Sequence, residues 1–283
     1  MKISEMQQEA KSLLTDFLAS KKTSKVKLAK KMGISHAVLT YVTQEQWESV
    51  SEEMLLKIIN TLKTTSDDYK LVRTANFNTV MLLCEDATKR RAMYGLIGCT
   101  GAGKTTALKQ FYSTQKNVFY IACKNIMNRK QFFASLLKEL GINFYGTVYD
   151  MVTRIEDEFK ILENPLLIID EAGKLSHTLL LDLHDLRNST MNNLGIILSG
   201  CEYFKENLEK GVRKDKQGIP EFYSRVVSWQ TLSMPTRKEV EAICNVNGIE
   251  FENMNRRSYS NFRDVFNDVT QQRIISDLAL DIN

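Results

Sequence analysis

The run Gly98-Cys99-Thr100-Gly101-Ala102-Gly103-Lys104-Thr105 has residue types suited to holding phosphate. Its three glycines let consecutive backbone N–H groups point into one concavity with no side chain in the way. Lys104 can reach the outer phosphates of a nucleotide, and the hydroxyl of Thr105, followed by Thr106, can ligate a divalent cation. The apolar residues 93–97 just before the loop read as a strand, and the chain from Lys104 onward reads as a helix. The partial positive charge of that helix N-terminus favours an anion. Cys99 has two readings: a thiol whose pKa the helix N-terminus lowers, or a position where only the backbone matters.

Further along, Leu166-Leu167-Ile168-Ile169-Asp170-Glu171 is a buried-strand pattern that ends in two adjacent carboxylates. Beside a phosphate loop, Asp170 is expected to hold Mg²⁺ and Glu171 to orient and polarise an attacking water. A third apolar run, Leu194-Gly195-Ile196-Ile197-Leu198, ends in Ser199, whose hydroxyl is expected between a γ-phosphate and that water. His177 and His184 have Asp182 and Asp185 nearby, but two helical turns, about 10 Å, is too far for two ligands of one ion.

The elements that must position these groups follow from periodicity. Short apolar runs at 93–97, 118–122, 166–169, 194–198 and 226–232 alternate with amphipathic segments, which predicts an α/β domain with a mainly parallel sheet. From Met234 onward only helices are expected, around residues 236–246 and 261–278. Ahead of the α/β part, residues 3 to about 63 read as four helices. Ile3, Met6, Leu13, Leu14, Phe17 and Leu18 define the first; the second carries Val26, Leu28, Ala29 and Met32 and stops at Gly33. Ser35 is a good N-cap for the third, and Glu52 and Glu53 open a fourth with Met54, Leu55, Ile58, Ile59 and Leu62 on its apolar side. Two short helices around a tight glycine turn describe a helix-turn-helix domain. The polar stretch Lys63-Thr64-Thr65-Ser66-Asp67-Asp68 is read as a linker, giving domains 1–65, 66–232 and 233–283.

At 283 residues with a net charge of +4, the chain has room for one large and one smaller domain and is no polycation. Its basic charge is nevertheless concentrated. Lys21, Lys22, Lys25, Lys27, Lys30 and Lys31 fall in one stretch without an acid, which suits a polyanion or else a solvated helix face. Five scattered cysteines, with no CxxC pair, indicate neither a disulfide framework nor zinc. Met1-Lys2-Ile3-Ser4-Glu5 is too polar for a secretory signal and no apolar stretch is long enough for a bilayer, so a cytoplasmic protein without membrane partners is expected.

In this order the motifs resemble those of AAA+ ATPases, with Walker A at 98–105, the Walker B Asp-Glu at Asp170 and Glu171, and sensor 1 at Ser199. The resemblance implies ATP and Mg²⁺ as cofactors, hydrolysis of ATP, and a helical lid. Phe222-Tyr223-Ser224-Arg225-Val226 resembles the Ser-Arg before the last strand of the initiator-like branch, which implies Arg225 as the arginine finger delivered to a neighbouring copy, with Arg213 as competitor. Ser260-Asn261-Phe262-Arg263 resembles the Gly-Asn-Leu-Arg start of a lid helix and implies Arg263 as sensor 2, though Ser stands where the family often has Gly. Within AAA+ proteins the chain looks most like the transposition ATPases similar to MuB, TnsC and IstB. That likeness rests on the N-terminal helical domain, on Asn76-Phe77-Asn78-Thr79-Val80 through Arg90-Arg91 leading into the first strand, and on Asp170-Glu171-Ala172-Gly173-Lys174-Leu175. It implies assembly with itself into a ring or filament on double-stranded DNA, and a DDE transposase as partner. A helicase loader or replication initiator, and a nucleotide-gated DNA-binding regulator with negligible turnover, remain as alternatives.

Lys27-Leu28-Ala29-Lys30-Lys31-Met32-Gly33-Ile34-Ser35 is similar to the repressor type of helix-turn-helix, with a recognition helix from about Ser35 to Val42. That helix has no Arg, Lys, Asn or Gln to read base edges. Lys27, Lys30 and Lys31 are therefore expected to meet phosphates, giving weak, salt-sensitive, largely nonspecific binding; a protein-docking domain is the alternative. Lys124, Asn125, Arg129 and Lys130, after the second strand, form a second candidate DNA contact or simply the exposed start of a helix.

Overall fold

The computed structural model describes residues 3–20, 25–65, 69–256 and 258–280. The chain divides into two compact units, Met1–Lys70 and Leu71–Asn283.

The first unit is all helical: α1 (Ile3–Ser20), α2 (Lys25–Met32), α3 (His36–Thr43) and α4 (Glu52–Thr65). Met6, Ala10 and Leu14 of α1 pack with Leu28, Ala29 and Met32 of α2, with Val38, Leu39 and Val42 of α3, and with Leu55, Ile58, Ile59 and Leu62 of α4. Gly33 stops α2 at φ +63, a left-handed conformation that costs glycine nothing, and Ser35 caps α3 by accepting the Ala37 N–H at 3.3 Å. Three expectations need correction. Ile3 and Met54, assigned to apolar faces, are exposed, because each sits in the first turn of its helix, beyond the packed layer. Lys63, Thr64 and Thr65, read as the start of a linker, belong to α4, which continues through Thr65. Lys21, Lys22, Ser66, Asp67 and Asp68 lie outside the described residues, as do the side chains of Lys27, Lys30 and Lys31 on α2.

The second unit opens with α5 (Ala75–Arg90) and builds a five-stranded parallel sheet from β1 (Met93–Ile97), β2 (Val118–Ala122), β3 (Leu166–Asp170), β4 (Gly195–Gly200) and β5 (Val226–Thr231). The strand order is β2-β3-β4-β1-β5. β1, β3 and β4 are buried throughout, which is why they read as unbroken apolar runs. α5 and α6 (Lys104–Thr114) cover one face through Val80, Cys84, Leu108 and Phe111. The other face packs against α7 (Arg129–Glu139), α8 (Val148–Ile161), α9 (His177–Ser189), α10 (Glu202–Arg213) and α11 (Ile219–Ser224). On that second face Trp229 of β5 lies against β1, and a Cβ on Gly95 would come within 2.0 Å of its ring. Two further helices, α12 (Arg237–Val246) and α13 (Phe262–Leu280), complete the unit. No helix among the described residues is long and apolar enough to cross a membrane.

Candidate nucleotide site

Alternation along the strands decides which side chains meet. Val118 and Tyr120 of β2, Leu166, Ile168 and Asp170 of β3, and Ile197 and Ser199 of β4 point to the α5–α6 face. The register pairs Ile169 with Leu198, so Ser199 arrives beside Asp170. β1 then delivers the glycine loop to the same end of the sheet, with α6 starting directly above.

The loop has the backbone that its glycines predict. Gly101 and Gly103 adopt φ +83 and +88, and Gly103 is the N-cap of α6. Lys104 is buried, and its ammonium donates to the carbonyls of Gly98 (2.6 Å) and Cys99 (2.9 Å), with no carboxylate among the described residues paired to it. Thr105 donates to Asp170 Oδ2 at 2.7 Å, while Thr106 is exposed. The Asp170 carboxylate receives three more donors: the Tyr120 hydroxyl at Oδ2 (2.7 Å), and the Ser199 hydroxyl (2.8 Å) and Glu171 N–H (2.9 Å) at Oδ1. Burial, with the Asp170 charge added, pushes the Tyr120 phenol well above its ordinary range. Cys123, beyond β2, is pushed up to about 12 for the same two reasons.

A hydroxyl and a carboxylate are hard oxygen donors, and Mg²⁺ takes one or two such protein oxygens alongside substrate phosphates. Thr105 and Asp170, touching each other next to a glycine cradle and a buried lysine, fit that demand. Among the described residues no group of three His, Cys, Asp or Glu side chains is arranged for a metal, and His177 on α9 pairs with the Gln217 carbonyl at 2.9 Å.

Glu171 occupies the left-handed region at φ 58, an unusual place for a residue with a side chain, and its carboxylate pairs with Lys174 at 3.3 Å. Ser199 is fully buried, and its hydroxyl is engaged by Asp170 rather than facing outward toward a phosphate. The start of α13 packs onto the loop: Phe262 N–H donates to Gly101 O at 2.9 Å and the Cys99 thiol contacts Ser260 O at 3.8 Å. A Cβ on Gly101 would lie 2.8 Å from the Cβ of Arg263, so that exposed arginine is rooted directly over the loop.

Arg225 caps α11 just before β5 and is exposed, with no side-chain hydrogen bond or ion pair among the described residues. Val226 pairs with Met93 and Thr231 with Ile97, so Arg225 stands at the opposite end of β1 from the loop. Five residues of strand separate them by roughly 17 Å. Arg213, at the end of α10, is likewise exposed. In the basic group after β2, Lys124, Asn125 and Lys130 are exposed, whereas Arg129 is held by Asp182 at 2.5 and 2.6 Å and its charge is largely matched.

Two participants escaped the sequence reading of the site. Tyr120 looked like one more apolar strand residue, although the two-residue period already puts it on the face of Asp170. Asn76 is buried and clamps the loop: its amide donates to Ala102 O (3.1 Å) and Ser233 O (2.8 Å), and its oxygen accepts from Ser233 N–H (3.1 Å).

Comparison with known proteins agrees with this geometry. Residues 87–208 match the family described as AAA domain. The chain is 20% identical over 249 residues to the Mu-like prophage FluMu DNA transposition protein B of Haemophilus influenzae, covering 84% of each protein. Among solved structures, the Aeropyrum pernix ORC1 protein in complex with DNA superposes with a TM-score of 0.55 at 14% identity over 77% of this chain. Cdc6p from Pyrobaculum aerophilum gives 0.47 at 15% identity over 62%. The chain spans 63% and 48% of the lengths of those two proteins, and the ORC1 likeness is one of fold.

Proposed function

We propose that this chain, an AAA+ ATPase module similar in sequence to a Mu-like transposition protein B, binds and hydrolyses ATP, assembles with itself on duplex DNA, and serves transposition by selecting target DNA and activating a DDE transposase. The observation that carries the catalytic part is the 2.7 Å bond between Thr105 and Asp170 beside a glycine loop whose lysine is buried without a counter-ion. In this reading Lys104 exchanges the carbonyls of Gly98 and Cys99 for the outer phosphates, and backbone N–H groups of residues 98–105 cradle the rest. Thr105 and Asp170 would hold Mg²⁺, which would neutralise charge on the phosphates. Glu171 leaves Lys174 to orient a water and take its proton, while Ser199 keeps Asp170 in place. Arg263 reaches down to the γ-phosphate from the start of α13. Arg225, too far from its own loop, stabilises transition-state charge in an adjoining copy, with Arg213 the less suited competitor.

DNA binding is supported by charge. Lys124, Asn125 and Lys130 are exposed, with Arg129 steadied by Asp182. In the sequence, Lys27, Lys30 and Lys31 add further positive charge. Contacts from such cations to phosphates hold the backbone without reading bases, so affinity should fall steeply with salt. The part in transposition leans on the relative's name alone.

The test is Glu171→Gln, which removes the base and leaves the phosphate loop intact. With ATP, Mg²⁺ and duplex DNA the variant should lose turnover by about 100-fold or more yet retain DNA-bound assemblies, seen by electron microscopy and sedimentation. Parent-like turnover would remove Glu171 from the mechanism. Absence of any ATP-dependent assembly on DNA would remove the DNA function.

A further inference from the structure

We propose that Tyr120 is a positioning residue for the cation: its hydroxyl fixes the Asp170 carboxylate in the orientation that Mg²⁺ needs. The inference rests on reading the loop as an ATP–Mg²⁺ site. Asp170 Oδ1 accepts from two groups, the Ser199 hydroxyl and the Glu171 N–H. Oδ2 has two partners, Thr105 and Tyr120, each at 2.7 Å. Thr105 is the partner that must also serve the cation through its oxygen. Tyr120 is thus the one donor on Oδ2 with no second task. It comes from β2 and Thr105 from α6, so the two hydroxyls reach Oδ2 from different elements. Without the phenol, rotation of the carboxylate about its terminal bond would be opposed on that side only by Thr105.

The phenol is itself held. The Tyr112 ring lies 5.7 Å from that of Tyr120, centre to centre, and the Lys109 ammonium sits 5.9 Å from the Tyr120 ring centre. Tyr112 uses its own hydroxyl elsewhere, on Glu139 at 2.8 Å. The two tyrosines share one aromatic contact and differ in which carboxylate they hold, which supplies a matched control.

The experiment compares the parent, Tyr120→Phe and Tyr112→Phe by calorimetry with ATP, in EDTA and across a Mg²⁺ series, and by thermal melting without nucleotide. Tyr120→Phe keeps the ring and removes one donor. Its ATP affinity in EDTA should match the parent within about two-fold, and the Mg²⁺ concentration needed for half the metal-dependent gain in affinity should rise about 10-fold or more, the loss of one hydrogen bond to a charged group. Turnover at saturating Mg²⁺ should stay within about three-fold of the parent, as expected when ground-state holding rather than the chemical step is lost. Tyr112→Phe should leave the Mg²⁺ requirement unchanged. The proposal is overturned if Tyr120→Phe keeps the parent's Mg²⁺ requirement, if Tyr112→Phe raises it equally, or if Tyr120→Phe melts lower and loses ATP affinity in EDTA to the same extent as in Mg²⁺. A parent whose ATP affinity ignored Mg²⁺ would instead bring down the underlying reading, an outcome distinct from these.

Discussion

At the scale of single residues, Lys104 shows how a site is held ready at a cost in stability. Its ammonium is buried, and its two partners are neutral carbonyls of its own loop. Burying a charge without a counter-charge is unfavourable, and two carbonyls offset only part of that. In the proposed site a triphosphate would supply the missing negative charge, so the lysine would contribute more to the complex than to the free fold. Lys104→Ala should therefore lower ATP affinity by about 100-fold or more, in line with the loss of charge-assisted hydrogen bonds, while the melting temperature without nucleotide stays level or rises slightly. Calorimetry and thermal melting on the same sample check both halves. Retained ATP affinity would refute the assignment of the loop, and a large drop in melting temperature would make the lysine structural. The strained turn at Glu171 fits the same pattern, a carboxylate presented at φ 58 where an ordinary loop would relax.

At the scale of elements, the loop is held by neighbours that converge from distant parts of the chain. The start of α5 is tied to the loop through Asn76 and to α12 through Glu239, whose carboxylate accepts the Ala75 N–H at 2.8 Å. Glu239 also completes the capping box of α12 with Thr236. Burial raises its pKa, but the backbone N–H groups of Thr236 and Ala75 and the Thr236 hydroxyl outweigh that and leave it below the ordinary value. A depressed carboxylate pKa means stability that is present above the unfolded-state value, about 4.3, and lost as pH falls through the folded one. Glu239→Ala should cost about 1–2 kcal/mol at pH 7 in urea unfolding, the usual range for a cap plus a charged hydrogen bond. The gap between parent and variant should narrow as pH falls below about 4.3 and close once pH is below the depressed folded value. A gap that persists there would show that lost packing, not the carboxylate, is responsible. The long-range ties were not legible in the sequence, because a hydrogen bond between Ala75 and Glu239 leaves no local pattern, whereas the Thr236-x-x-Glu239 capping box does. The strands were legible: 93–97 and 118–122 appear with the bounds that their apolar runs suggest, and the phosphate loop, Asp170 and Ser199 follow from strand ends. What periodicity could not give was the partner of each polar group. It left Arg129 looking free for DNA when Asp182 on α9 holds it, and it left Tyr120 looking apolar.

At the scale of the whole molecule, the position of Arg225 decides whether one copy can complete a site. Its strand register sets it roughly one strand length, about 17 Å, from the loop of its own chain. An arginine side chain cannot span that distance, so an arginine that serves catalysis from there serves another copy, and the contact must be head-to-tail because loop and arginine lie at opposite ends of β1. This makes the two halves of a site separable by mutation. Arg225→Ala should bind ATP like the parent yet lose turnover by about 1,000-fold or more, the range for an arginine finger. Lys104→Ala should be equally inactive for the opposite reason. Mixed in equal amounts, the two inactive proteins should recover about a quarter of parental activity, since an intact loop from one then meets an intact Arg225 from the other at one junction in four of a head-to-tail assembly. Arg213→Ala mixed with Lys104→Ala serves as the competing case. If Arg225→Ala alone turns over like the parent while Arg213→Ala is inactive alone and recovers on mixing with Lys104→Ala, the finger is Arg213. If Arg225→Ala alone turns over like the parent at every protein concentration, no copy depends on its neighbour's Arg225.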